Sequence, residues 1–404
     1  MPPQPPAKIW WSNVVFFVSV HIASVFGVYH RPPALVPRET LLMAFVLWQL
    51  ADFGITIGYH RLYSHRSFRA TLPVRIVLVV LGSSAFQGSI KWWCLRHRLH
   101  HRFTDDPVHD PYAATRGVLY SHMGWIFQRP RYERIDLIDR EDLDNDPRVI
   151  RFQHRYYVPI ALIFGCIIPA VLGWTWGDPV GAFIYGGLVT RLAVWHCTFL
   201  INSLAHWHGL QPYSDENTSR SNLLLALLTG GEGNHNFVRG SIFSWKCLTS
   251  HTFPYDYRSG TSKFDWDPSK WIIAGLHWLR LVTHVRRARS EDITEAREYM
   301  RQKEHDSTSM HENEDWCGVE WGMETVREYV RRNPGRCIVI LEGFAVDLTD
   351  YSKDHPGGAK VLRQYALRNE PWRDASWAFS GGLNNHSRTA KRRMRELRVA
   401  KVRF

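Results

Sequence analysis

Four apolar stretches constrain the fold of this chain more than any other feature of its sequence. They are Asn13–Tyr29, Leu41–Tyr59, Tyr157–Trp174 and Gly181–Ile201. Each is about long enough to cross the hydrocarbon core of a bilayer as a helix, which takes roughly 20 apolar residues. Beyond about residue 206 the sequence is polar. We therefore expect a helical membrane protein whose polar segments lie outside the bilayer.

A fifth apolar stretch, Leu72–Gly88, differs from the other four. It has 17 residues and contains Arg75 and Gln87. If it crossed the membrane, the histidine-rich segments on either side of it would lie on opposite faces of the bilayer and would not share a site. We therefore predict an interfacial or partly embedded helix here.

A dense histidine cluster occupies residues 96–102, which read Arg-His-Arg-Leu-His-His-Arg. His97, His100 and His101 are spaced i, i+3 and i+4, so a helix would place all three imidazoles on one face. Neutral imidazole is a good ligand for iron, zinc, copper and nickel. This spacing therefore predicts a metal site.

Further candidate ligands lie close to the ends of the apolar stretches. They are His60 and His65 after the second stretch, Asn202 and His206 at the end of the fourth, and His235 further along the chain. Asn202 and His206 are four residues apart, which again places two polar side chains on one helix face. We expect these clusters to converge on one shared site.

Basic residues near the apolar stretches are unevenly distributed. The histidine side carries Arg61, Arg66, Arg69, Lys91, Arg151 and Arg155, whereas the opposite turns carry only Arg31 and Arg38. Because positive charge favours the cytosolic side, we predict that the histidines and both termini are cytosolic. The N-terminal sequence Met-Pro-Pro-Gln-Pro-Pro lacks a basic region and a cleavage site, so the first stretch is expected to be a retained anchor.

The formal net charge of +12 is compatible with nucleic acid, anionic lipid or an anionic substrate as a partner. No helix-turn-helix, zinc-finger or RNP pattern occurs, so no nucleic-acid partner is expected, and lipid headgroups or a phosphorylated substrate fit better. The six cysteines form no CxxC motif. That usage indicates a reducing compartment without a disulfide framework.

The chain changes character near residue 318. We divide it into an N-terminal tail (1–10), a membrane domain (11–289), a charged linker helix (290–317) and a small soluble domain (318–404). In the last part, Cys337–Leu341 is typical of a strand, and His355 and His386 follow on separate helix–loop elements. Two such histidines on either side of an apolar pocket can hold a haem iron.

At this point a family resemblance becomes specific. Residues 10–290 resemble membrane acyl-CoA Δ9 desaturases (stearoyl-CoA desaturases), and residues 318–404 resemble a cytochrome b5 domain fused at the C-terminus, as in fungal members. The matching stretches are Gly58-Tyr-His-Arg-Leu-Tyr-Ser-His-Arg-Ser-Phe, His97–Asp105, Tyr120-Ser-His-Met-Gly-Trp, Asn202-Ser-Leu-Ala-His, Gly231-Glu-Gly and Thr252-Phe-Pro-Tyr-Asp-Tyr. The resemblance implies a mostly α fold of four transmembrane helices with a cytosolic di-iron cap, plus a small α+β cytochrome b5 domain.

The resemblance also implies cofactors, ligands and a reaction. Two non-haem iron ions would be held by His60, His65, His97, His100, His101, His206, His235 and His251, with Asn202 acting through a water, and haem b by His355 and His386. A cis double bond would be introduced into saturated C16–C18 acyl-CoA, with no catalytic side chain beyond the metal ligands. Because no side chain can abstract hydrogen from an unactivated C–H bond, the reaction needs O2 activated at a metal. Electrons would come from NADH through a separate cytochrome b5 reductase, at the endoplasmic reticulum membrane.

A kinked apolar tunnel beneath the irons is a further implication of the resemblance. Trp48, Phe53 and Phe86 are candidate lining residues; the alternative is that they face lipid or serve in packing. Animal members carry an Arg-Asp pair where this chain has Leu95 and Arg96. Whether CoA is contacted at these two positions is therefore open.

The third histidine box departs from the family pattern. After Gly-Glu-Gly that pattern reads aromatic-His-Asn-aromatic-His-His and leads directly into Thr-Phe-Pro-Tyr-Asp-Tyr. Here His235-Asn-Phe is followed by Val238, and the familiar sequence resumes only at His251, 16 residues after His235. One of nine expected histidines is missing. Since a Val codon begins with GT, as most introns do, we hypothesise that Val238–Ser250 is a retained intron or a misplaced splice boundary; a genuine insertion is the alternative.

Two other functions are compatible with the sequence. An acyl or sterol hydroxylase would use the same scaffold and the same histidine boxes. The interrupted third box also allows a catalytically impaired membrane haem protein of the cytochrome b5 type.

Overall fold

The computed structural model describes residues 7–215, 217–238, 255–260, 265–305, 316–353, 359–368, 373–379 and 393–403. Among them are four helices long and apolar enough to cross a membrane: Trp11–His30, Arg38–Ser64, Tyr157–Trp176 and Pro179–Trp207. They coincide with the four predicted stretches. Their outer faces expose large apolar side chains such as Ile22, Val25 and Leu42. Because such continuous apolar surface suits lipid rather than water, the chain is a multi-pass membrane protein.

Three of the four spanning helices contain π-helical segments, in which the turns are wider than in an α-helix. The second helix is α-helical over Arg38–Phe53 and π-helical over Gly54–Ser64. The third consists of Tyr157–Leu162 (α), Ile163–Ile167 (π), Ile168–Gly173 (α) and Trp174–Trp176 (3-10). The fourth consists of Pro179–Ala182 (α), Phe183–Val189 (π), Thr190–Asn202 (α) and Leu204–Trp207 (α). Such segments are frequent at functional sites. The first of them carries His60.

The two short connections at the end of the bundle away from the histidines are linked through Asp178. This buried carboxylate caps the fourth spanning helix by accepting from Gly181 N at 3.0 Å. It also accepts hydrogen bonds from Arg31 Nη1 at 3.1 Å and from Thr40 Oγ1 at 2.9 Å. Because Arg31 and Thr40 flank the first connection, the first two spanning helices are fastened to the last two.

The fifth apolar stretch forms the helix Leu72–Ser84, which is shorter than the four spanning helices. Its 13 residues extend about 20 Å, against a hydrocarbon core of about 30 Å. It packs directly on the second spanning helix, because a Cβ on Gly54 would lie 2.2 Å from Gly82 N. At its C-terminus, the carbonyl of Ser84 accepts a hydrogen bond from Arg191, the charged residue inside the fourth spanning helix.

Between and after the spanning helices, short elements form a polar cap at the histidine end of the bundle. The α-helices are Ile90–Arg102, Val118–His122, Glu141–Asp144, Phe152–Arg155, Leu223–Leu228, His235–Val238, Pro268–Trp278 and Ser290–His305, with a π turn at Pro147–Arg151 and 3-10 turns at Ala114–Arg116, Gly124–Phe127 and Ile135–Leu137. A further 3-10 turn, Pro33–Leu35, lies in the first connection at the opposite end of the bundle. Strands Arg69–Ala70 and Val282–Thr283 pair antiparallel, with Arg69 opposite Thr283. This pairing folds the segment after Trp278 back against the end of the second spanning helix.

The C-terminal domain is built on a four-stranded sheet. The strand order is Glu320–Gly322, Arg398–Arg403, Phe344–Asp347 and Ile338–Leu341; the first pair is parallel and the others antiparallel. Helices Met323–Arg332, Ala359–Tyr365 and Ser376–Phe379 and the 3-10 turn Tyr351–Lys353 accompany it. Glu342 and Gly343 both have positive φ, which is typical of the tight turn that joins two antiparallel strands. The strand predicted at Cys337–Leu341 is confirmed, with observed bounds Ile338–Leu341.

Candidate metal centre and adjoining cavity

His60 and His65 meet because the second spanning helix ends in a π-helical segment. Backbone hydrogen bonds there join residues five apart, as from His65 N to His60 O at 2.9 Å. In an α-helix, residues five apart point about 140° away from each other. The wider turn instead brings the two Nε2 atoms to 2.6 Å. The local backbone therefore turns a spacing unsuited to an α-helix into a pair of converging imidazoles.

His97 and His101 come from the helix Ile90–Arg102, which is capped at its start by the Ser89 hydroxyl. One turn apart, their Nε2 atoms lie 2.8 Å from each other, and His97 Nε2 lies 3.1 Å from His65 Nε2. The indole of Trp93, one turn before His97, stacks on the His97 ring at 4.6 Å. This stacking fixes the ring plane of His97.

These four histidines form one buried cluster. The nitrogen atoms that His60, His65, His97 and His101 offer all lie within 4.8 Å of one another. Burial, and then the neighbouring imidazoles, hold the pKa of His65 and of His97 well below the ordinary value. The rings of His65 and His97 are therefore neutral at physiological pH, with lone pairs available to a cation. An all-nitrogen set of this kind fits a first-row transition metal, iron among them.

A second group, made of His100, His206 and His235, lies beside the first. The ring centroids of His100 and His206 are 6.3 Å apart, and those of His206 and His235 are 5.6 Å apart. A fully buried carboxylate, that of Asp110, accepts a hydrogen bond from His100 Nδ1. For His206 the hydrogen-bond partner of Nδ1 is the hydroxyl of Thr218, at 2.6 Å, which in turn donates to Asp105 Oδ1 at 2.7 Å. A carboxylate on Nδ1 sets the tautomer and leaves Nε2 for a metal.

Glu232 plays the same part for His60 as Asp110 does for His100. Its Oε2 lies 3.0 Å from His60 Nδ1, and its Oε1 accepts from Arg61 Nε at 2.9 Å. Arg61 is in turn paired with Asp267 at 3.0 Å. Burial raises the pKa of Glu232, but the neighbouring His60 and Arg61 lower it further, to about 2 overall. The ionised carboxylate orients His60 within a buried network.

The helix carrying three of the histidines is anchored by Arg98, which is fully buried. Its guanidinium donates to both carboxylate oxygens of Asp142, at 2.9 and 2.7 Å, and to the carbonyl of Tyr63 at 2.5 Å. Burial raises the pKa of Asp142, but the neighbouring Arg98 and Arg66 lower it further, to about 2 overall. Because Tyr63 lies between His60 and His65, these bonds set the position of the helix relative to both.

A cavity of about 630 Å³ lies against the histidine groups. One wall is formed by histidines together with Asn202: His60, His97, His100 and His235. The opposite walls are mainly apolar and include Phe16, Phe17, Ile55, Phe86, Trp195 and Phe199. A polar bridge crosses one wall: Gln87 Nε2 donates to Thr198 Oγ1 at 2.7 Å, and Trp93 Nε1 donates to Gln87 Oε1 at 3.2 Å. The volume is within the range of small-molecule sites.

The expectations for individual cavity residues have mixed outcomes. Phe86 lines the cavity, as proposed. Trp48 and Phe53 do not line it; both pack against the buried core beside the second spanning helix, in agreement with the packing alternative. Arg96 lines the cavity as well, with its guanidinium 3.2 Å from the ring centroid of Trp92 and 4.7 Å from that of Trp125.

The structure places most of the sequence-predicted ligands around one centre. His60, His65, His97 and His101 form the tight group, His100, His206 and His235 the looser one, and Asn202 lines the shared cavity. His251, His355 and His386 lie outside the described residues. Sequence reasoning assigned no role to Asp110 or Glu232. The signals were present: an aspartate-rich loop after the second histidine cluster and the acidic residue of Gly231-Glu-Gly.

Comparisons with known proteins identify the family of this chain. Residues 32–236 match the fatty acid desaturase family, and residues 323–403 match the cytochrome b5-like haem/steroid-binding domain. The chain therefore belongs to the fatty acid desaturases and is one that carries a C-terminal cytochrome b5 domain.

Individual relatives make the resemblance more specific. The chain is 34% identical to a probable acyl-CoA desaturase of Schizosaccharomyces pombe, over 97% of this chain and 77% of the relative. It is 35% identical to acyl-CoA desaturase 1 of Saccharomyces cerevisiae, over 97% and 73%. With the Delta(9)-fatty-acid desaturase fat-7 of Caenorhabditis elegans it shares 36% identity, over 62% and 72%. The two fungal relatives match almost the whole chain, including its cytochrome b5 part.

Proposed function

We propose that this chain is an acyl-CoA Δ9 desaturase, an oxidoreductase that introduces a cis double bond into the saturated chain of a C16–C18 acyl-CoA. One observation carries the proposal: the buried histidine groups form one wall of a mainly apolar cavity that extends between the spanning helices. Such a cavity can hold a hydrocarbon chain away from water, with its carbons facing the metal centre. The names of the relatives support the choice of substrate.

Two non-haem iron ions are the proposed resident metals. The residues that would hold them are His60, His65, His97, His100, His101, Asn202 (through a water), His206, His235 and His251. Bound iron would supply the O2 activation that an unactivated C–H bond requires and that side chains lack. Electrons would come from NADH through a separate cytochrome b5 reductase and then through haem b, held in the fused domain by His355 and His386.

The chain's own residues would prepare the site. Asp110 and Glu232 hold His100 and His60 in the tautomer that directs Nε2 to a metal. The bridge from Trp93 through Gln87 to Thr198 fixes the shape of the cavity wall next to His97. A rigid wall there restricts which carbons of a bound chain reach the histidine groups.

For its location and organisation we propose the endoplasmic reticulum membrane, with both termini and the histidine groups in the cytosol. The uneven distribution of arginine and lysine supports this orientation. The proposed parts remain the tail (1–10), the desaturase domain (11–289), the linker helix (290–317) and the cytochrome b5 domain (318–404). Within the linker, the helix Ser290–His305 begins near an ion pair between Arg289 and Glu396, 3.7 Å apart, which joins the two domains.

The test is expression in cells that require unsaturated fatty acids. We expect the chain to restore growth, either as written or, on the splice hypothesis, in the form that lacks Val238–Ser250, and we expect gas chromatography of the lipids to show Δ9-unsaturated products. His100→Ala, expressed to the same level, should do neither. Hydroxylated products from the wild type, or growth restored equally by His100→Ala, would contradict the proposal.

A second candidate is a membrane haem protein with an impaired iron site. The observation in its favour is that the tight histidine group, among the described residues, contains no ligand from the third box. On our splice hypothesis, the chain as written binds haem but loads iron poorly, whereas a form lacking the inserted segment is active. Transcript sequencing with metal analysis decides between them. A mature message that encodes the whole segment and yields an iron-loaded, active protein would exclude both the impairment and the splice error.

A further inference from the structure

The second spanning helix carries a carboxyl group inside the membrane region. Asp52 is only 2% exposed, and its Oδ2 atom is fully buried without a hydrogen-bond partner in the described part of the chain. A buried polar group normally has a partner, because leaving it unpaired is costly. An ionisable residue at membrane depth is therefore a candidate functional group.

Asp52 faces the same cavity as the histidines. Asp52, Ile55, Thr56 and His60 occupy one face of the second spanning helix, and all four line the cavity. Eight residues separate Asp52 from His60, which corresponds to about 12 Å along a helix. Since His60 lies at the polar-cap end of this helix, Asp52 lies on the bilayer side of the metal centre.

On its other side, the carboxyl group is closely covered by backbone. A Cβ on Gly230 would lie 3.1 Å from Asp52 Oδ2, and Gly230 has a φ of +59°. The glycine thus permits a turn that comes very close to the carboxyl group. No space remains on that side for a partner of Oδ2. Because Oδ2 has no accessible surface, a hydrogen-bonding group in the cavity can reach the carboxyl group only at Oδ1, or at Oδ2 after the carboxyl group rotates.

These observations bear on the chain that occupies the cavity. If the proposed function is correct, the CoA end of the substrate stays at the polar cap and the distal half of the acyl chain extends towards Asp52. A plain methylene chain would cover the carboxyl group without pairing it, which is unfavourable. A hydroxyl group at that depth would pair with it.

We propose that Asp52 forms a hydrogen-bonding subsite that favours an acyl chain carrying a hydroxyl group in its distal half over an unsubstituted chain of the same length. The inference rests on the proposed desaturase function. It identifies Asp52 as a specificity-determining residue rather than a catalytic one, since the reacting carbons lie nearer the histidines.

The experiment compares kcat/KM for palmitoyl-CoA, stearoyl-CoA and their ω-hydroxy derivatives in the purified full-length enzyme. The ratio of hydroxylated to plain substrate is measured within each variant, so that differences in iron loading and protein concentration cancel. We expect Asp52→Leu to lower this ratio by at least about tenfold, the order of discrimination that a single pocket group provides. Asp52→Asn, which keeps a hydrogen-bonding side chain, should retain most of the preference.

Val46→Leu is the matched control, because Val46 lies on the lipid-exposed face of the same helix. It should leave the ratio unchanged. If Asp52→Leu does not fold, Asp52→Ala is compared with Asp52→Asn in the same way. Equal ratios in the wild type and the leucine or alanine variant would mean that the carboxyl group is merely hydrated, and would overturn the subsite. Absence of desaturated product from every substrate would instead overturn the proposed function itself.

Discussion

Asp110→Asn tests the idea that buried carboxylates set the metal affinity of this centre. Asp110 accepts from His100 Nδ1 and also from the backbone N–H groups of Asp105, at 3.0 Å, and Tyr112, at 3.1 Å. A carboxylate can accept all three bonds. An asparagine in its place has only one accepting oxygen, and its NH2 group, itself a donor, would face one of these three donors without a hydrogen bond. The substitution therefore removes the carboxylate that orients His100 while changing side-chain volume very little.

The expected magnitude follows from the role of such partners in metal sites. Losing an outer carboxylate of a histidine ligand lowers metal affinity by about 10- to 100-fold. At about 1.4 kcal/mol per factor of ten, this corresponds to roughly 1.4–2.7 kcal/mol. Removing the ligand His100 itself would cost more binding free energy, because Asp110→Asn leaves that histidine in place.

The assay uses the fused haem as an internal standard. Wild-type and variant proteins are purified in detergent and equilibrated with a series of chelator concentrations, and iron beyond that of the haem is measured per haem by mass spectrometry. Asp106→Asn is the control: it lies in the same loop and caps Val108 N and His109 N, but contacts none of the proposed ligands. We expect Asp110→Asn to lose its non-haem iron at a chelator concentration about 10- to 100-fold lower than the control requires. Identical retention curves for the two variants would refute the reasoning.

Three further predictions follow from the fold and the proposed cofactors. The folded-state pKa of Asp142 is about 2, below its ordinary value of 3.8, so its pairing with Arg98 adds stability that is present above about pH 4 and is lost as the pH falls towards 2. Asp142→Asn should therefore lower the thermal midpoint of unfolding at pH 7 and make that midpoint less dependent on pH between 4 and 2. An unchanged midpoint at pH 7 would contradict this. His355→Ala or His386→Ala should each abolish the cytochrome b5 absorption spectrum and stop turnover while non-haem iron stays bound; survival of the spectrum in both variants would show that haem is held elsewhere. A glycosylation acceptor inserted near residue 110 should remain unmodified, whereas one in the turn at 175–180 should be modified, and the reverse pattern would invert the topology.

The sequence by itself determined where the membrane helices lie and which residues are candidate ligands. Length and apolarity were sufficient for the four spans, because a bilayer leaves a chain little alternative to a continuous helix. The stretch Leu72–Gly88 was excluded as a span by a different argument, that the histidine segments on either side of it must share a site, and the structure has a short helix there. The i, i+3, i+4 spacing of His97, His100 and His101 is purely local geometry and needs no tertiary information.

Only the tertiary structure decided how the clusters meet and what supports them. His60 and His65 converge because the helix widens into a π segment, which no spacing rule for α-helices predicts. Asp110 reaches His100 from a loop, and Glu232 reaches His60 from 172 residues further along the chain. The sequence also could not show that Asp52 faces a cavity. A charge inside an apolar stretch has the same local signature whether it faces a neighbouring helix, a partner or a bound chain, and packing alone determines which of these it meets.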